Sequence, residues 1–105
     1  MADGSVLLCT AAAGQKPEIV RAHEKKTSKV EILAALKESK SFCDGVISKM
    51  TDTSGQELVD AFDPNSKTPR LSWIHANTGH VWEHYGNLVT YMRLKSIVPP
   101  SSEGR

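Results

Sequence analysis

The chain has 105 residues, of which 39% are hydrophobic, a size that suits one domain without a deep, self-contained active-site cleft. Thirteen basic and twelve acidic residues give a net charge of +1, and no long block of one sign indicates a nucleic-acid or anionic-membrane surface. The longest nearly apolar stretch, Val6 to Ala13, is too short to cross a bilayer, and the first residues lack the positive charge of a secretory signal. We therefore expect a soluble, cytoplasmic protein that contacts neither nucleic acid nor membrane.

The first helix is predicted from Ala2 to Ala13, a segment rich in Ala and Leu, and it ends at Gly14, a residue type common at helix C-termini. A charged connection, residues 15–26, follows it. His23 in this connection is predicted to be an ordinary surface residue.

The second helix is predicted from Ser28 to about Met50. Ser28 and Glu31 fit a capping box, in which each side chain satisfies a free amide of the first turn. Helical spacing then predicts one buried stripe with two flanking side chains. The stripe contains Leu33, Leu36, Cys43, Ile47 and Met50, with Phe42 and Val46 beside it.

The two cysteines, Cys9 and Cys43, lie outside any CxxC pattern. Each stands among apolar residues, as a small core side chain does. The sequence therefore favours reduced, structural thiols over a disulfide or a nucleophile.

A short helix and a turn are predicted next. Ser54 and Glu57 repeat the capping pattern for a helix that ends near Phe62. Residues 63–66, Asp-Pro-Asn-Ser, have turn chemistry because Asp and Asn bond their own backbone and Pro fixes φ.

The last helix is predicted to begin with Thr68 as N-cap and Pro69 as first residue, and to end near Ser96, ahead of two prolines. No run of the chain alternates apolar and polar residues as a strand does. We therefore predict an all-α fold, an antiparallel helical bundle of three main helices plus one short helix. Residues 1–100 would form this single domain, and residues 101–105 a flexible tail.

Two histidines of the last helix, His80 and His84, lie one turn apart beside its predicted core stripe. His75 lies about 140° from His80 around the helix axis and should face outward. Gly86 is a poor helix former, and its place in mid-helix indicates that another backbone approaches closely. The stripe contains Ile74, Val81, Tyr85, Leu88 and Met92.

The spacing of His80 and His84 makes them candidate metal ligands, because residues i and i+4 project from one face at a separation that a divalent ion can bridge. The alternative is that both border the core, bond their neighbours and bind no metal. HVWEH also fits the HxxEH pattern of inverted zinc proteases. Only 21 residues follow His84, however, and their sole carboxylate side chain is Glu103, so the downstream ligand and cleft of such a protease are absent.

The stretch HVWEHYGNLVTYMRLKSIVPPSSE resembles the closing helix of the DinB-like family, which includes the YfiT-like metalloenzymes. ADGSVLLCTAAAG is similar to the second helix of that family, and AALKESKSFCDGV to the third. The resemblance covers nearly the whole chain. It implies an up-and-down bundle of four helices, with a divalent metal held by three histidines.

Two of those three ligands match His80 and His84. The third usually sits just before the segment that resembles Ala2-Asp3, where this chain has Met1. The family's first helix and this ligand thus have no counterpart here, which weakens a Zn or Ni site. A histidine of a partner subunit, or a nearby carboxylate such as Asp3, would have to complete it.

Three amphipathic helices leave one apolar groove uncovered, so we expect a homodimer in which each copy fills the place of the other's absent helix. One functional hypothesis is a non-catalytic dimer that binds a small ligand or a protein partner. The other is a metal-dependent enzyme of the thiol-dependent transferase, isomerase or hydrolase type, its site completed across the dimer. There the metal on His80 and His84 would activate a nucleophile, and Tyr85 or Tyr91 would orient substrate. Loss of the third ligand favours the first hypothesis.

Overall fold

The computed structural model describes residues 1–19, 21–63 and 65–104 and shows a mostly helical chain. The helices are α1 (Ala2–Ala12), α2 (Lys29–Ser48), α3 (Asp52–Gly55) and α4 (Arg70–Leu94), with a 3₁₀ turn at Pro100–Ser102. Two short strands, β1 (Leu58–Asp60) and β2 (Lys67–Pro69), form an antiparallel pair in which Val59 lies opposite Thr68. The predicted predominance of helix is confirmed, but the prediction that no strand occurs is wrong. The antiparallel arrangement is also wrong for α1 and α2: Ala2 lies near Ala35 and Cys9 is joined to Cys43, so the two helices run in the same direction.

The helix ends follow the local chemistry of the sequence. At the start of α2 the Ser28 hydroxyl accepts the Glu31 amide at 3.3 Å, which confirms the predicted N-cap. The Glu31 carboxylate accepts a hydrogen bond from the Ser28 hydroxyl. In the predicted capping box it would have accepted one from the Ser28 backbone amide. At the end of α1, Gly14 has φ +80°, and the Gly14 and Gln15 amides bond the carbonyls of the last turn, as a Schellman motif requires.

The hairpin replaces most of the short helix predicted from Ser54 to Phe62. Thr51, rather than Ser54, is the N-cap of α3, and the two side chains satisfy each other's amides in a capping box. The turn at 63–66 forms through a bond from the Ser66 amide to the Asp63 carbonyl, while Pro64 lies outside the described residues. This turn reverses the chain and allows β1 to pair with β2. Thr68 is therefore a strand residue, and Pro69 is the N-cap of α4 instead of its first residue.

Helix α1 is the central element, since it packs against both α2 and α4, whereas α2 and α4 approach each other closely at few positions. Gly4 lies against His80 of α4, and the next residue, Ser5, contacts Cys43 of α2. Because consecutive residues lie 100° apart around a helix axis, α4 and α2 lie about a quarter-turn apart around α1, so the three helices occupy roughly three corners of a square. The radius of gyration is 15.7 Å, against about 13 Å for a compact domain of this length. The chain is therefore less compact than a typical domain of its length.

Small residues fill the contacts of α1. Its buried face packs against Ala35, Ser39 and Cys43 of α2 on one side, and Trp73 of α4 joins the core at its C-terminal end. The residues of α1 that are buried in this way are Ala2, Ser5, Cys9, Ala11 and Ala12. These small side chains let α1 approach its neighbours closely. Most of the large apolar side chains lie outside these contacts.

The predicted apolar stripes of α2 and α4 are only partly buried: Cys43 is buried and five members are intermediate, whereas Leu33, Ile47, Val81 and Leu88 are exposed. Leu33 is 46% exposed and Leu88 is 47% exposed. At 100° per residue, the four exposed members lie on average about a quarter-turn from the sides that contact α1, so they face the uncovered corner. The other exposed large apolar residues of these helices include Val30, Ile32, Phe42, Trp82, Tyr91 and Leu94.

Cys9 and Cys43 form a disulfide that joins α1 to α2, with their Cα atoms 5.4 Å apart. Both residues are buried, as expected, but the prediction of reduced thiols is wrong. The adjacent small residues bring the two helices close enough for the bond to form. Stable disulfides are typical of oxidising compartments, so the cytoplasmic location stays a prediction. None of the described helices combines the length and apolar character that a membrane span needs.

Candidate functional site

The two histidines predicted as metal ligands lie together on the side of α4 that faces α1. The ring centroids of His80 and His84 are 4.5 Å apart and the rings are almost perpendicular. Both side chains are partly buried. They share this face with Trp73 and Asn77, which also line the contact with the rest of the chain. The i, i+4 prediction of a shared face is therefore confirmed.

The start of α1 comes close to this pair because residue 4 has no side chain. A Cβ atom placed on Gly4 would lie 2.5 Å from Nε2 and 2.7 Å from Cε1 of His80. The same Nε2 is 3.3 Å from the Met1 carbonyl oxygen. The close approach predicted at Gly86 is absent, since a Cβ there would meet no described atom within 4 Å. Gly4, which the sequence did not single out, has that role.

The electrostatic surroundings favour a neutral imidazole at His84. Burial lowers the pKa of His84 below its usual 6.5, because the charged ring is less well solvated there. The charges of the amino terminus and of His80 lower it further, and Glu83 opposes them. A neutral imidazole is the form that binds a metal ion.

The described residues do not supply a complete metal site. No group of three or more His, Cys, Asp or Glu side chains within them is arranged to hold one ion. Met1, the position of the third histidine in the resembling family, does lie beside His80 and places its backbone carbonyl there. Asp3, the carboxylate considered as a substitute, is bound to His23. The donor set of this chain alone therefore does not fit the three-ligand centre that the resemblance implies.

Asp3 and His23 form the most specific polar contact near this end of the molecule. Asp3 Oδ1 lies 2.5 Å from His23 Nδ1, and Asp3 Oδ2 accepts the His23 backbone amide at 3.1 Å. The side chain of His23 is 22% exposed, so its prediction as an ordinary surface residue is wrong. Nothing in the spacing of two residues twenty positions apart indicated this contact.

The charge state of Asp3 follows from the same contact. Burial raises the pKa of Asp3, but the hydrogen bonds from the side chain and backbone of His23, with the charges of His23 and the amino terminus, outweigh that effect. The pKa of Asp3 consequently lies below its usual 3.8. The carboxylate is ionised at neutral pH and accepts two hydrogen bonds from one residue.

A cavity of about 480 Å³ lies between the start of α1, the connection at 21–26, the first half of α2, and Leu88 of α4. Asp3 and His23 are in its wall, and they also line a neighbouring cavity of about 400 Å³ that reaches Phe42. The first cavity has a mainly apolar wall formed by Met1, Ala2, Ile32, Ala35, Leu36 and Leu88.

The remaining predicted site residues lie apart from this cavity's wall. The Tyr85 hydroxyl accepts the Ser101 amide at 3.1 Å, and its ring packs edge-on against Trp82. Tyr91 is 67% exposed. His75 is exposed, as predicted from its angle to His80.

No protein-family model matches the chain, and no curated protein or solved structure is significantly similar to it.

Proposed function

We propose that this chain is a DinB-like helical-bundle protein that acts as a homodimer, with an incomplete two-histidine metal site and a role in binding a small ligand or a protein partner. The observation that carries the proposal is the arrangement of three helices at three corners of a square. Helices α2 and α4 each contact α1 and turn an apolar stripe toward the remaining corner.

A second copy is the occupant that this corner fits best. The exposed stripes of α2 and α4 hold Leu33, Ile47, Val81 and Leu88, and contiguous apolar surface of this kind is typical of an association interface. A twofold axis beside the open corner would let each copy cover the other's stripes with identical residues.

The test is the mass of the purified protein in solution at micromolar concentration. The chain has a mass of 11.5 kDa, and light scattering or sedimentation should give about twice that value. A stable, compact monomer would overturn the proposed dimer, and with it the proposal that a second copy covers the open corner.

A metal-dependent enzyme with its site completed across the dimer is the second candidate, of the thiol-dependent transferase, isomerase or hydrolase type. The proximity of the His80 and His84 rings favours it. These two residues would hold a Zn or Ni ion, which when bound supplies a Lewis acid. Tyr85 and Tyr91 would orient the substrate, and a partner's side chain would supply the third ligand.

Thermal melting with added Zn or Ni tests the enzyme candidate. Metal that binds the folded form raises the melting temperature, and the shift should vanish in the His80→Ala, His84→Ala double variant. His75→Ala is the matched control, since that imidazole faces outward on the same helix. If the parent protein shows no shift, the enzyme candidate is rejected.

A further inference from the structure

The cavity beside Asp3 and His23 has the dimensions of a small-molecule site. Its volume of about 480 Å³ falls within the range typical of ligand pockets. Ile32 and Leu36 of α2 and Leu88 of α4 contribute apolar surface from two helices that otherwise approach each other at few positions. A ligand that filled the cavity would bury apolar surface that the chain itself leaves uncovered.

The charges around the cavity favour a neutral ligand. Four charged side chains line it, of which Arg21 and Lys26 are positive and Asp3 and Glu24 are negative. Arg21 pairs with Glu24 at 3.3 Å, and Asp3 is bonded to His23. These four side chains together carry no net charge, so neither sign dominates among them.

Asp3 decides which nitrogen of His23 can accept a hydrogen bond. Because the ionised carboxylate only accepts, the hydrogen between Asp3 Oδ1 and His23 Nδ1 must belong to Nδ1. In the neutral ring the lone pair is then on Nε2. His23 lines this cavity, and no hydrogen bond from a described residue to its Nε2 is present.

We propose that this cavity binds a small, neutral, mainly apolar molecule through one hydroxyl group, which donates to Nε2 of His23 while Asp3 holds the ring in the required tautomer. This inference rests on the small-ligand role proposed above and names the ligand class. His23 is the contact residue, and Asp3 is a positioning residue.

The test uses 1-hexanol and its isomer 1-methoxypentane, which have the same number of heavy atoms but differ in the O–H donor. Both are titrated at pH 8 into the isotopically labelled full chain, with binding followed by nuclear magnetic resonance. We expect the alcohol to bind about fivefold more tightly than the ether, the effect of one net hydrogen bond. Equal affinities, or no binding of either probe, would overturn the proposal.

The Asp3→Asn variant tests the role of the tautomer. The His23 backbone amide must still bond to the oxygen of the new side chain, so the NH₂ group faces Nδ1 and forces the hydrogen onto Nε2. Nitrogen chemical shifts should show this exchange, and the preference for alcohol over ether should disappear, since both now accept from Nε2–H. A preference that persists in the exchanged tautomer contradicts the proposal. If this variant does not fold, nitrogen chemical shifts of the parent protein give the tautomer of His23. Hydrogen on Nε2 in the parent would overturn the proposal.

Two filling variants locate the site. Ile32→Trp should block the first cavity and abolish binding, whereas Leu7→Trp, in the neighbouring cavity, should leave it unchanged. The reverse pattern would place the ligand elsewhere and overturn the assignment. The oligomeric state is measured on the same samples. A dimer that binds neither probe overturns this inference alone, and a monomer that prefers the alcohol overturns only the dimer.

Discussion

Gly4 shows how a single missing side chain determines the packing of two helices. The Cβ atom of Gly4→Ala would overlap the His80 ring, and relief of that overlap requires the ring or α1 to move. We expect a loss of about 1–3 kcal/mol in the free energy of unfolding, measured by denaturant titration. His80→Ala should restore most of this loss in the double variant. Gly79→Ala, on a glycine with open space around it, is the control and should stabilise α4 slightly. Equal effects of the two alanines would contradict the close approach.

Asp3 gives the stability a predictable dependence on pH. Its pKa is lower in the folded state than in the unfolded chain, so the unfolded chain binds more protons as the pH falls. The stability contributed by Asp3 is therefore fully present above pH 3.8 and is lost as the pH falls through the folded pKa. The free energy of unfolding of the parent and of Asp3→Asn should differ at pH 7 and converge near pH 2. A difference that is the same at both values would mean that the ionised carboxylate contributes nothing.

The residue that follows the C-terminal cap of α4, Ser96, has a left-handed backbone conformation that glycine adopts more readily. Ser96 has φ 58°, and the amides of Ser96 and Ile97 bond the carbonyls of the last turn of α4. Gly14 occupies the same position after α1 without a Cβ. Ser96→Gly should therefore stabilise the protein by about 1 kcal/mol, seen as a higher thermal midpoint. Ser101→Gly, outside any left-handed position, is the comparison and should give no such gain.

The disulfide between Cys9 and Cys43 links α1 covalently to α2, which pack together through small residues. Reduction should cost about 2–4 kcal/mol of unfolding free energy, because the unfolded chain is no longer constrained. Hydrogen exchange should rise more in α2 than in α4, since α2 is held mainly through α1. The Cys9→Ala, Cys43→Ala variant should be less stable than the oxidised parent protein, and reductant should not change its stability. Two reactive thiols in the unreduced, denatured protein would show that the bond is absent.

The open corner of the whole molecule predicts which surface substitutions change the assembly. Leu33→Glu and Val81→Glu each place a charge on an exposed apolar stripe and should convert the proposed dimer to a monomer in sedimentation experiments. Thr90→Glu adds the same charge about 180° around α4 from Val81 and should leave the dimer intact. Dissociation by all three variants would indicate a general charge effect rather than an interface at the open corner.

Local chemistry alone determined the end of α1, the start of α2 and the spacing of the histidines. Ser28 and Gly14 act where the sequence placed them, because caps depend on residues a few positions apart. His80 and His84 share a face for the same reason. The hairpin at 58–69 was not predicted, since three-residue strands are too short to show an alternating pattern.

Tertiary structure decided every contact that joins distant segments. Apolar spacing located the stripes of α2 and α4 but did not show what they face. Helix α1 packs instead against the sides with small residues, because Gly4, Ala35 and Cys43 allow a close approach. The disulfide and the Asp3–His23 pair join residues 34 and 20 positions apart, and their formation depends on how α1 is placed. Sequence periodicity carries no information about such pairs, since it reports which residues share a face and not what that face contacts.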